Sequence, residues 1–73
     1  MKKIPYKEYC NIIILAWEEE NKFPELRRGQ TIYNSIRRYS ISIADEIIDS
    51  EVDPYYNDSN IRKMENNYVE KKS

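Results

Sequence analysis

A chain of 73 residues is enough for one domain and too short for two. With no histidine and one cysteine, Cys10, it can build neither an internal disulfide nor a zinc site of the usual nitrogen-and-sulfur type. A formal net charge of −1 is not a nucleic-acid-binding composition, and the longest apolar run, Ile12 to Trp17, falls far short of the roughly 20 residues that cross a bilayer.

The first element in chain order reads as a helix. Pro5 suits a first-turn position, and neither glycine nor another proline interrupts the chain from there to about Asn21. Tyr6, Tyr9, Cys10, Ile13, Ile14 and Trp17 recur at three- and four-residue spacing, which predicts one buried stripe with Cys10 as a small core hydrophobe. Ile12 and Leu15 widen it. Glu18, Glu19 and Glu20 occupy the last turn, where the helix dipole disfavours each carboxylate by roughly a few tenths of a kcal/mol. Compensating cations are expected among Arg27, Arg28, Arg37 and Arg38.

Phe23 to Gly29 then reads as a single helical turn, with Pro24 at its start and the only glycine closing it in a left-handed cap. A second helix runs from about Gln30 to Tyr39, with Ile32, Ile36 and Tyr39 on its apolar face and Arg37 and Arg38 on another. Ser40 or Ser42 can cap a third helix whose apolar face is Ile43, Ala44, Ile47 and Ile48. Asp53-Pro54 ends it and opens a tight turn through Tyr55 and Tyr56. Asp58 or Ser59 caps a fourth helix with Ile61, Met64 and Tyr68 inward, and a polar tail from about Glu70 should fray. The expected fold class is all-α: a compact bundle of about four short helices, one domain over residues 1–73.

A domain this small buries only about 60% of the surface its unfolded chain exposes. Chains of this length commonly add a disulfide, a metal or a partner subunit. With the cysteine and histidine content against the first two, a homo-oligomer is the natural expectation. The lone thiol fits a reducing compartment, and the glutamates flanking the apolar run do not fit a signal peptide, so a cytoplasmic location is expected, in a host cell if the gene is viral.

Charge is segregated along the chain. Residues 22–40 carry five basic groups and one acidic, and residues 41–58 carry six acidic groups and no basic one. The acidic segment, Asp45 to Asp58, reads as a solvated face; a calcium loop would need a turning glycine that it lacks. Arg27-Arg28-Gly29-Gln30, at the start of the second helix, has two readings. Two guanidinium groups beside helix N–H groups suit a phosphate or carboxylate, as in a nucleotide-like ligand. Alternatively the arginines pair with Glu18 to Glu20, while Gln30 and Asn34 fix the loop. Seven tyrosines favour contact surfaces, and adjacent Tyr55 and Tyr56 cannot both point inward, so one is expected at an interface. Arg37 and Arg38 could hold phosphates in a nucleic-acid reading, although nucleic acid is not the expected partner. Nucleophilic catalysis through Cys10 would want a base that the chain does not own, so no enzyme and no cofactor are expected.

One likeness runs through these segments. Leu26-Arg27-Arg28-Gly29-Gln30, Asn34 four residues later, Ile43-Ala44-Asp45-Glu46-Ile47, and Asp53-Pro54-Tyr55-Tyr56-Asn57-Asp58 together resemble small proteins of bacteriophages and prophages. In those, a pre-helical L-R-x-G-Q, a downstream N, an L-A-x-x-I helix and a D-P-F-Y-x-D turn recur in this order over roughly residues 9 to 64. Tyr55 stands where phenylalanine is usual, and no glycine stands just before Asp53. The resemblance implies an origin and a helical fold, and no activity. Small phage proteins often block a host enzyme or defence system, so the expected function is binding, with inhibition or redirection of a host protein.

Overall fold

Pro5 sits immediately before α1 (Tyr6–Lys22), with its carbonyl accepting from Tyr9 N–H at 3.0 Å. The computed structural model describes residues 3–71, which form three further helices, α2 (Arg28–Tyr39), α3 (Ile41–Ile47) and α4 (Ile61–Tyr68). A 3-10 turn, Asp58–Asn60, leads into α4. The helices pack around α2 in a body of 32 × 24 × 20 Å with one shared core, all-α as expected. Among the described residues the only β contact is an isolated parallel bridge between Ile4 and Val69.

The buried face of α1 is not the stripe that its spacing suggests. Tyr9, Ile12 and Ala16 are buried against α2, whereas Tyr6, Cys10, Ile14 and Trp17 are exposed and Ile13 is half-buried. A helix packed against one neighbouring layer buries one face, and α1 carries apolar side chains on more than one. Ile12 and Ala16, together with Tyr9, fit the face of α2 that presents Ile32 and Ile36. Cys10 is therefore not a core residue.

The segment 23–27 is a turn and bend, and α2 begins at Arg28, two residues earlier than expected. Gly29 lies inside that first turn with no positive φ. Its smallness answers a different need: a Cβ there would lie 2.0 Å from the Pro54 carbonyl oxygen and 2.7 Å from Asp58 Oδ1. Asp58 accepts the Gly29 N–H at 3.0 Å, capping α2 from a point 29 residues away in sequence. Arg27, the N-cap, places its guanidinium on the carbonyls of Tyr55 (2.7 Å) and Tyr56 (3.2 Å), and Gln30 Oε1 accepts the Arg27 N–H at 3.0 Å. Asp58 thus caps α2, and the turn before α4 is capped instead by Asn57, whose Oδ1 accepts from Ser59 N–H.

Ser40 joins two helices. Its N–H donates to Ile36 O at the end of α2, and its Oγ accepts from Ile43 N–H at the start of α3. The third helix stops at Ile47, well before Asp53-Pro54. A type II turn over Ile47–Ser50 ends it, with Ile48 at φ −59°, ψ 135° and Asp49 at φ 61°, closed by Ser50 N–H to Ile47 O at 3.0 Å. Among the described residues Asp49, not Gly29, is thus the left-handed one. Asp53 is 5% exposed and departs from the solvated acidic face. It accepts from Asp49 N–H (2.7 Å) and Tyr55 N–H (2.8 Å), and so holds the loop between α3 and α4.

The two ends of the described chain meet. Ile4, fully buried, exchanges Ile4 N–H to Tyr68 O (2.7 Å) and Glu70 N–H to Ile4 O (2.8 Å). Glu70 is therefore held rather than frayed; Lys72 and Ser73 lie outside the described residues. Met64 and Tyr68 of α4 face inward as expected, with Ile61 half-buried. Tyr9 donates its phenol to Glu65 at 2.7 Å, tying α1 to α4.

Two outcomes follow. Gly29→Ala improves intrinsic helix propensity by roughly 1 kcal/mol, but the methyl forces the 54–58 loop off the start of α2. Urea unfolding should show a net loss of about 3 kcal/mol, since overpacking and a lost cap combine. Burial raises the phenol pKa values of Tyr9, Tyr33 and Tyr68, with the Glu65 hydrogen bond and charge adding to Tyr9. The unfolded chain then loses its phenol protons above about pH 10 while the folded chain keeps them, so stability falls as pH rises through that value. A stability–pH curve for Tyr9→Phe should be flatter on that alkaline limb.

Candidate protein-binding surface

The residues singled out in the sequence do not converge on one site. Arg27 and Gln30 are committed to the junction between α2 and the 54–58 loop. An anion at the start of α2 would have to displace the Asp58 carboxylate, which already takes the Gly29 N–H and lies 3.8 Å from Arg27. Arg28 turns the other way and pairs with Glu20 at 3.6 Å. Tyr55 is half-buried, its ring edge-on to Tyr33 at 5.5 Å, whereas Tyr56 is 66% exposed. The outward member of the pair is therefore Tyr56.

Arg37 and Arg38, on the exposed side of α2, stand in a different setting. Glu19, facing α2 from the last turn of α1, meets Arg38 at 3.6 Å and Asn34 at 3.5 Å. Two of the three crowded glutamates thus find arginines, Glu19 with Arg38 and Glu20 with Arg28, and Glu18 makes no ion pair among the described residues. Pairing leaves the Arg38 side chain 67% exposed.

Arg38 is the wall shared by three shallow hollows. One, of about 110 Å³, lies between Leu15, Lys22 and Phe23; one of about 170 Å³ lies against Leu15 and Tyr39; a more open one of about 370 Å³ is bounded by Asn34, Arg37 and Ile41. Leu15, Phe23, Tyr39 and Ile41 are each more than 40% exposed around them. The result is a charged, partly apolar surface spanning α1, α2 and the start of α3, where Lys22, Arg37 and Arg38 stand beside Glu8, Glu18 and Glu19. Its guanidinium groups can take carboxylates in bidentate geometry, and its apolar rim can cover hydrophobic side chains.

A second surface lies on another side of α1. A groove of about 260 Å³ runs between α1, α2 and α4, lined by Ile13, Trp17, Ile32 and Ile61, with Arg28 and Glu65 at its rim. Trp17, the only tryptophan, is 56% exposed there. Among the described residues no cluster of three or more acidic or thiol side chains could hold a metal ion, and no helix is long and apolar enough to cross a membrane.

Sequence reasoning singled out Arg37 and Arg38 and passed over Leu15, Phe23 and Ile41. The available signal was the excess of apolar residues on α1, more than one buried face can use. Phe23 and Ile41 carried none, because each stands beside a helix end where patterning is silent. Comparison with protein-family models, curated proteins and solved structures returns no match.

The exposure of Cys10 has a direct consequence. A thiol reagent should modify it in the folded protein at nearly the rate seen in urea. Protection of more than about a hundredfold, as expected of a core cysteine reached only by unfolding, would contradict the placement.

Proposed function

We propose that this chain is a protein-binding protein of phage type, which binds a host protein through the Arg38 surface and inhibits or redirects it, with a protein of antiviral defence as one such target. The observation that carries the reading is the gathering of Leu15, Phe23, Tyr39 and Ile41, all well exposed, around Arg37 and Arg38. Isolated exposed apolar residues are ordinary, but a contiguous group rimmed by guanidinium groups is the make-up of an interface centre. The fitting partner presents apolar side chains flanked by carboxylates. The resemblance of residues 9–64 to phage proteins supports the origin, and with it a place of action in host cytoplasm.

The nucleotide-binding alternative draws less support, because Arg27, which it requires, is held by two backbone carbonyls and Asp58. A nucleic-acid role would use Arg37 and Arg38 as phosphate contacts, but the same surface carries four large apolar side chains and the Glu19 carboxylate, which suit a protein better.

The test is comparative. Wild type, Arg38→Glu and Ile41→Asp would each be used to capture proteins from host lysate, with circular dichroism showing that all three fold. A host protein held by wild type and weakened at least about thirtyfold by both substitutions, equal to about 2 kcal/mol, is the expected outcome. An identical retained set for all three proteins removes the Arg38 surface from the reading.

A further inference from the structure

The exposed stripe on α1 has the properties of a surface that matches itself. Tyr6, Cys10, Ile13 and Trp17 follow one another at intervals of four, three and four residues, the spacing of a helix-pairing seam, and Ile14 flanks it. None of the five is buried in the fold. Lys7 stands at the N-terminal end of this stripe and Glu18 at its C-terminal end. Both are exposed, and neither makes an ion pair among the described residues. Three helical turns separate them, so they border the stripe on the same side and lie about 16 Å apart along the axis. At that distance they cannot pair within one chain, and solvent screens most of their attraction.

We propose that a second copy of this chain covers the stripe, with α1 packed antiparallel on α1 about a twofold axis. A twofold contact uses the same patch on both copies, so a residue near one end meets the partner's other end. Antiparallel pairing sets Lys7 against the partner's Glu18 twice over, opposes the two helix dipoles and joins the apolar centres. A parallel pair would hold each Lys7 and each Glu18 level with its own copy but on opposite flanks of the seam, and neither charge would meet an opposite one. The dimer also gives Glu18 a cation besides Lys22, which stands four residues along the same helix but forms no ion pair with it among the described residues. A stripe about 16 Å long and one helix wide is small beside the roughly 800 Å² per partner of a standard interface, so the dimer forms in the micromolar range or above. This face adjoins the Arg38 surface at Glu18, which also lines the hollow beside Leu15, but its apolar residues lie outside that surface.

Sedimentation equilibrium from about 10 µM to about 1 mM, within the range of weak complexes, provides the test. Wild type should pass from monomer to dimer, with Trp17 emission moving to shorter wavelength over the same concentrations. Trp17→Glu should weaken the dimer at least tenfold, while Ile41→Asp leaves it unchanged and so keeps this result distinct from failure of the Arg38 reading. Lys7→Glu and Glu18→Lys should each weaken it, and the double charge swap should recover most of the loss. All sites substituted in this test are exposed, and the thermal midpoint of each variant verifies its fold. A monomer at every concentration, an assembly larger than two, a dimer indifferent to Trp17→Glu, or a charge swap no better than its single variants would each overturn the proposal.

Discussion

The contact between Gly29 and the 54–58 loop fixes where the chain enters α4. Pro54 O approaches the helix so closely that a single methyl group at residue 29 would occupy its place. The approach lets Asp58 reach the Gly29 N–H and lets Arg27 hold two successive carbonyls of the same loop. One short junction thus satisfies an orphan donor at the start of α2, neutralises a carboxylate and fixes the entry to α4. It also brings Tyr55 against Tyr33. It holds the first end of α4, while Tyr9 on Glu65 and Ile4 on Tyr68 and Glu70 hold the rest of that helix and its end.

This junction also joins the segment Leu26 to Gln30 with the segment Asp53 to Asp58. In this chain they are the two halves of one contact. Arg27 needs the carbonyls of Tyr55 and Tyr56, Gly29 needs Pro54 close by, Gln30 takes the Arg27 N–H, and Asp58 takes that of Gly29. The tyrosine at position 55 preserves the ring that packs against Tyr33. A pair of motifs that looks like a ligand site on paper is, in three dimensions, a means of closing the fold. The function must therefore be sought on surfaces that the fold leaves uncovered.

Those surfaces belong mainly to α1. Burying a side chain such as Ile or Trp is worth about 1.5–3 kcal/mol, and a chain this small has little stability to spare. Leaving Ile14, Leu15, Trp17 and Phe23 open to water forgoes a large share of what the domain could gain. The glutamates at the end of α1 show the same economy of partners: Glu19 and Glu20 have arginines from α2, while Glu18 looks outward. An apolar helix with unspent charges at its margins is suited to contact with other molecules, and the Arg38 surface and the α1 stripe are two distinct places for it.

Local patterning determined the helices themselves. Pro5, Ser40 and the apolar runs mark helix starts, the break between α2 and α3 and the all-α class, because helix propensity, capping and proline geometry act over three or four residues. Patterning also picked out Arg37 and Arg38, whose spacing from the apolar face of α2 keeps them in solvent. It could not say which side of α1 is buried, since both sides are apolar and only the shape of α2 selects Tyr9, Ile12 and Ala16. Nor could it show that Gly29 is required by Pro54, that Asp58 caps a helix 29 residues upstream, or that Asp53 is buried. Each of these depends on distances between segments remote in sequence, and such distances exist only once the chain has closed on itself.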